Sequence, residues 1–585
     1  MLKNRKTVLI ILLVLAATFV AGRFSGVNSS GAEDRYYEVL KNFKVFGQVY
    51  REVTDRYIEE IDAEKFMRAG INGMLDHLDP YTVYLEQDGR DELQIMTRGK
   101  YYGVGMRIVL RNGWATVSEQ PFPDSPAFRA GIREGDQIIE IDGKNTKGQP
   151  LSETARRLRG TEKGSEVAIK IKRVGEEKPL SFTLIRDEIS VSDVQYSGFV
   201  KPGIGLIKLA HFSRGADDQI REAIVRLKDQ GLDGLILDLR GNPGGLLDMA
   251  VAVAENFVAK GEMVVSTKGR WENTYQEFRA GKDPVLGSTP LVVLVDGYSA
   301  SASEIVAGAI QDLDRGVVIG AGTFGKGLVQ TVVPLDRRGD SQLKITTAQY
   351  FIPSGRLIQR PEVFDRSASS VFVNASDSVK ASAEEDVDVD AVEPPEDNLH
   401  KKAKEEEPKP KFYTKNHRVV LGGGGITPDI EVHNFELNRF EIELIRRSMF
   451  FNFSLDYVAK HPNLTKDFQV EDQMLADFFA FTKEKNFDYN PDGMAELEKL
   501  EKIAKEEQFY TPMATHFQGI RAEFEKVKEQ EKEKSKAHLA MLIKREIVGK
   551  LFGRNEYFES MFSSDSTMAK AVEVLKAPEE YRRIL

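Results

Sequence analysis

Leu291-Val-Val-Leu-Val-Asp-Gly-Tyr-Ser-Ala-Ser301-Ala-Ser-Glu304 is the stretch on which the fold turns. Five apolar residues in a row, Leu291 to Val295, read as a strand of a sheet covered on both faces, since a half-exposed strand alternates apolar with polar side chains. Asp296-Gly297 supplies the turn. Ala300 to Leu313 then reads as a helix, which puts Ser301 at a strand-to-helix junction, where free N–H groups and the positive dipole end gather. Moving outward, Lys326 follows 25 residues later in Thr323-Phe-Gly-Lys326-Gly-Leu-Val-Gln330, and Leu328 to Leu335 alternates like a strand. Lys326 and Gln330, four apart, are expected to project from one face of it. Gly325 and Gly327 flank the lysine and permit close backbone approach.

These residue types point to nucleophilic chemistry. A serine hydroxyl needs a neighbour to remove its proton, and lysine can do so only if burial pulls its pKa well below ~10.4. Serine with lysine is a known variant of the serine–histidine–aspartate arrangement. No histidine lies between His211 and His400, so a histidine partner is disfavoured. Each residue alone has a plainer reading: Ser301 as a helix N-cap, Lys326 as a solvated loop lysine, Gln330 as an ordinary strand residue, Gly244-Gly245 as a turn. Their ordered occurrence on an α/β background favours the chemical reading. That background comes from Gly203–Ala210 as a strand, Ala216–Gln230 as a helix, Leu235–Leu239 as a strand and Leu246–Ala259 as a helix. Asp238 and Arg240, ending a strand, read as structural ion-pairing or turn residues rather than catalysts, and Glu304 as a helix-start residue whose charge suits the dipole.

Asp238-Leu-Arg240-Gly-Asn-Pro-Gly244-Gly245, the Ser301 block, the Lys326 block, Tyr350-Phe-Ile-Pro-Ser-Gly-Arg356 and Gly424-Gly-Ile-Thr-Pro-Asp-Ile430 stand in order along the chain. Over roughly residues 35 to 435 this set resembles the C-terminal processing peptidases, or tail-specific proteases. The resemblance implies a ClpP/crotonase-like α/β protease core, with Ser301 as nucleophile, Lys326 as general base and Gln330 positioning the lysine. It implies an oxyanion hole from backbone N–H groups of Ala302, Gly244 and Gly245, and neither a metal nor an organic cofactor. Tyr101 to Asp187 resembles a PDZ domain: Tyr102-Gly103-Val104-Gly105 matches its carboxylate-binding loop, Ser125 to Gly143 carries its most specific motif, and the helix Leu151 to Leu158 forms the second wall of the groove. A peptide laid beside the sheet gains main-chain hydrogen bonds, so the implied substrates are unfolded or tailed proteins with apolar C-termini. The rivals are a PDZ adaptor with an inert core and a hydratase-like enzyme sharing the α/β architecture.

At 585 residues the chain exceeds one core. Hydrophobic content of 41% and charged content of 29% are those of a soluble globular protein. A net charge of −10 argues against a general nucleic-acid binder. The absence of cysteine excludes disulfides, zinc–thiolate sites and acylation at a lipobox, and is compatible with export. Basic Met1–Lys6 followed by apolar Thr7–Gly22 reads as a signal peptide or membrane anchor, with the remainder exported, periplasmic or anchored facing the periplasm. The expected division is 1–24 targeting segment, 34–96 helical arm, 97–188 PDZ domain, 189–361 and 412–434 protease core, 362–411 disordered acidic insertion, and 435–585 helical domain. Tyr37, Leu40, Phe43, Phe46, Val49, Val53 and Ile58 give the arm a helical stripe, which the resemblance assigns to homodimer formation. His77-Leu-Asp-Pro80-Tyr resembles that family's connector into the next domain. An activating adaptor is a further expected partner.

Overall fold

The computed structural model describes residues 30–160, 162–337, 341–361, 409–432 and 437–585. The Thr7–Gly22 segment and all but the last three residues of the expected insertion lie outside them. Among the described residues no helix is long and apolar enough to cross a membrane. The chain divides into two compact units, one ending at Leu78 and the other spanning Asp79–Leu585.

In the first unit the expected helical stripe is two helices, Ser30–Arg56 and Ala63–Leu75. The break has a local cause. The Asp62 carboxylate accepts from the N–H groups of Glu64 and Lys65 and so starts a second helix. Tyr50 joins the two, stacking on Phe66 at 5.8 Å and donating to Ala63 O at 2.7 Å.

The second unit is built on a six-stranded sheet: β1 (Val194–Lys201), β2 (Ile204–Leu209), β3 (Gly234–Asp238), β4 (Leu291–Val295), β5 (Val317–Gly320) and β6 (Ile430–Glu431), in that spatial order. β1 runs antiparallel to β2, and every other pair is parallel. Side chains alternate between the faces. Ile207, Leu235, Leu237, Leu291, Val293 and Val295 pack on the face covered by α1 (Ala216–Asp229), α2 (Leu247–Ala254) and α3 (Ala302–Asp312). Leu206, Ile236, Val292, Leu294 and Ile319 meet the opposite cover, α4 (Ser566–Lys576) and α5 (Pro578–Ile584) at the C-terminal end, through Met568, Ala571, Val574 and Tyr581. Each such side chain stabilises the fold by about 1.5–3 kcal/mol.

A second sheet carries the lysine segment. Its long strand Gln342–Phe351 pairs with Leu328–Pro334, Val83–Leu85 and Met263–Gly269. The PDZ unit has its own sheet, Ile108–Arg111, Trp114–Val117, Gln137–Ile141, Glu166–Lys172 and Leu180–Ile185, with the helix Leu151–Leu158. It enters through Lys100–Gly103 and leaves through Asp187–Ser190, which pair antiparallel. The C-terminal helical region centres on Phe440, Phe450, Phe453 and Phe478 against the 43-residue helix Tyr510–Phe552. It also grips the PDZ unit. Lys550 Nζ lies 2.8 Å from Glu134, the Arg111 guanidinium sits 3.3 Å over the Phe451 ring, and Leu455 fills the space a side chain at Gly135 would need.

Candidate active site

Ser301 immediately precedes α3 with φ 55° and ψ −111°, a conformation that costs a non-glycine residue about 1–3 kcal/mol. Its neighbours hold it there. Ala300 N–H and Ser303 Oγ both donate to the carbonyl of buried Asn242, at 3.1 and 2.9 Å, and Ser301 N–H donates to Glu304 Oε2 at 2.8 Å.

Glu304 is fully buried. Its Oε2 also accepts from Lys326 N–H at 2.9 Å, and its Oε1 accepts from Gly325 N–H at 2.7 Å and Thr323 Oγ1 at 2.6 Å. Burial pushes this carboxyl up to about 7, while the four donors work the other way. Tyr350 Oη reaches the carbonyls of Ser301, at 3.1 Å, and of Lys326, its single proton shared between them. The two candidate residues are therefore tied together twice, through their amides by Glu304 and through their carbonyls by Tyr350.

Lys326 lies in the loop before the strand, which starts at Leu328, and the ladder register shifts between Val329 and Gln330. The expectation that Lys326 and Gln330 share a strand face is thus corrected: one is outside the strand, and an irregularity resets the alternation before the other. The lysine is pushed down to about 7, by burial first and then by the charge of Lys344, with Glu304 and Asp79 opposing. The residue keeps some exposed surface, and the burial acts at its ammonium end. Nζ stands 4.3 Å from the centre of the Tyr81 ring. Gln330 Nε2 points to Thr346 Oγ1 at a long 3.4 Å, and Thr346 Oγ1 donates to Asp79 Oδ1 at 3.2 Å. Among the described residues no hydrogen bond joins Gln330 to Lys326, nor Ser301 Oγ to Lys326 Nζ. Catalytic hydrogen bonds in ligand-free enzymes often tighten only when substrate binds.

Gly244 lies directly against the serine. At φ 100° a Cβ there would stand 2.7 Å from Ala300 O and 2.9 Å from Ala302 N. Its N–H donates to Asn242 Oδ1 at 2.9 Å, so of the three expected oxyanion donors this one is already committed. Gly245 and Ala302 remain, the latter as the first residue of α3, whose N–H has no partner within the helix. In the PDZ loop, Gly103, Val104 and Gly105 are buried and Tyr102 is exposed. Val104 O accepts from Ala127 N–H at 2.9 Å, and Gly105, at φ 81°, accepts from Phe122 N–H at 3.0 Å.

Asp238 and Arg240 do pair, at 2.8 Å, and Arg240 reaches on to Asp565 at 2.7 Å. Burial works against the Asp238 charge, but Arg240 and Lys208 hold its carboxyl well below the usual carboxylate range. Sequence reasoning missed the contacts that Glu304, Asn242, Tyr350 and Tyr81 make around Ser301 and Lys326. Only Glu304, one helical turn after Ser301, carried a local signal.

A serine at a strand-to-helix junction, a depressed lysine and a PDZ unit on an α/β core define a serine-type peptidase. Residues 203–364 match the model of peptidase family S41, 117–173 that of the PDZ domain, 440–575 that described as the probable PDZ-protease C-terminal helical domain, and 19–89 that of the activating protease CtpB N-terminal domain. The chain is 37% identical over 353 residues to a carboxy-terminal-processing protease of Bartonella bacilliformis, spanning 60% of this chain and 80% of the relative. It is 33% identical over 354 residues to a probable CtpA-like serine protease of Staphylococcus aureus, spanning 60% and 67%. Among solved structures, the photosystem II D1 C-terminal processing protease is 29% identical over 54% of this chain and 89% of that one, with a TM-score of 0.30. The chain belongs to the carboxy-terminal processing proteases.

Proposed function

We propose that this chain is an exported endopeptidase that takes the C-terminal tail of a protein substrate in its PDZ domain and cleaves with Ser301 and Lys326. The observation that carries the reading is the double tie between these two residues, by Glu304 and Tyr350, beside a lysine held at about 7. Neutral Lys326 takes the Ser301 proton, and Ser301 Oγ attacks the scissile carbonyl. The N–H groups of Ala302 and Gly245 receive the oxyanion, each lowering the barrier by about 2.7–4 kcal/mol. The lysine then protonates the leaving amine, and water hydrolyses the acyl-enzyme. Because the neutral amine is the base, kcat/KM rises with pH through a limb near 7. Export is supported by basic Met1–Lys6 followed by apolar Thr7–Gly22.

The test compares wild type, Ser301→Ala and Lys326→Ala on an unfolded protein ending in an apolar tail. Each variant is expected to lose at least about a thousandfold in turnover. Equal cleavage by all three overturns the dyad, and cleavage by none favours a binding scaffold. Deleting the PDZ domain is expected to abolish the preference for tailed over untailed substrate.

A further inference from the structure

We infer that Tyr81, in the connector that opens the second unit, is a positioning residue of the active site: its ring forms the lid over the Lys326 ammonium. This rests on Lys326 being the base. The connector is anchored for the task. Asp79 is buried, and its Oδ1 accepts from the N–H groups of Tyr81 and Thr82, both at 2.9 Å, while Oδ2 accepts from Thr82 Oγ1 at 2.8 Å. Thr346 locks this turn to the long strand, donating its N–H to Thr82 Oγ1 at 3.2 Å and its hydroxyl to Asp79 Oδ1. Val83–Leu85 then continues as a strand paired with Gln342–Lys344. Tyr81 therefore comes to the lysine on a turn fastened from both sides.

Its placement over Nζ has two effects of opposite sign. The ring's bulk keeps water from the ammonium and favours the neutral base, whereas its π face attracts the cation and favours the charged form. The charged groups acting on Lys326 are Lys344 on the long strand, Glu304 on α3 and Asp79 in the connector. Among the described residues the buried Tyr81 Oη has no hydrogen-bond partner. The contact with the lysine is made by the ring, whose centre lies 4.3 Å from Nζ.

The experiment is the pH profile of kcat/KM on the unfolded tailed protein, using the full chain. Tyr81→Phe keeps the ring, so its profile is expected to superimpose on wild type, with a melting temperature no lower. Tyr81→Ala admits water, and its acid limb is expected to move up by about one unit, a tenfold loss on the limb. Tyr81→Leu keeps an apolar cover without the π face, and its limb is expected to move down by about half a unit. A merely structural tyrosine would lower the plateau and leave the limb in place. A limb at the wild-type position in both the Ala and Leu variants overturns the proposal, as does a Phe variant whose limb moves. Lys326→Ala serves as the parallel arm: full turnover in it overturns the base assignment itself, whereas an inactive Lys326→Ala beside unmoved Tyr81 limbs overturns the lid alone.

Discussion

At the residue scale, Glu304 is a buried carboxylate satisfied by four donors, three of them backbone N–H groups. Glu304→Ala would strand all four, each at about 1–3 kcal/mol. We expect a loss of at least about 3 kcal/mol in urea unfolding. Glu304→Gln keeps the shape but turns an amide NH₂ toward two donors, and should lower turnover at least tenfold with a smaller drop in melting temperature. Gly244→Ala drives a methyl into the Ala300 carbonyl at a backbone angle that disfavours any side chain, and we expect about a hundredfold loss in kcat. The place of Ser301 at a strand-to-helix junction was legible in the sequence because an unbroken apolar strand, an Asp-Gly turn and a helix lie consecutively around it. The role of Glu304 was not, because three of its donors, on Thr323, Gly325 and Lys326, arrive from a separate loop; a carboxylate in a first helical turn has a sufficient local explanation. Gln330 was misplaced for a related reason. Alternating side chains give no sign of the register shift beside it.

At the element scale, β4 shows what a strand pattern can and cannot say. Its continuous apolar run announces that both faces are covered. It does not say by what, since the second cover comes from the far end of the chain. Tyr581 makes that link, accepting from Leu291 N–H at 2.9 Å and donating to Leu291 O at 3.1 Å across 290 residues. Tyr581→Phe removes both bonds and should cost about 1–3 kcal/mol, read as a lower midpoint in denaturant with an unchanged slope. Cutting the chain before Ser566 would bare Ile236, Val292 and Leu294, and the product is expected in the insoluble fraction. The C-terminal helices of this peptidase are thus part of its core, a role their own periodicity left unread.

At the scale of the whole molecule, the helical region holds the PDZ unit through a charged contact largely closed to water. Lys550, with only 5% of its side chain exposed, sits between Glu134 at 2.8 Å and Glu546 at 3.0 Å. Burial raises the Glu134 carboxyl and Lys550 draws it back down. Lys550→Ala removes the cation bridging the two carboxylates and leaves only Arg111 acting on both, so faster amide exchange is expected across residues 108–141 while β2 to β5 keep their protection. The ribbon formed by Lys100–Gly103 and Asp187–Ser190 has a further consequence. Gly103 and Asp187 are cross-strand partners, so the PDZ unit joins the rest of the chain at two points about 5 Å apart. A domain with neighbouring ends can be exchanged with the flanking core left in register, provided its replacement also meets Lys550 and Leu455 of the helical region.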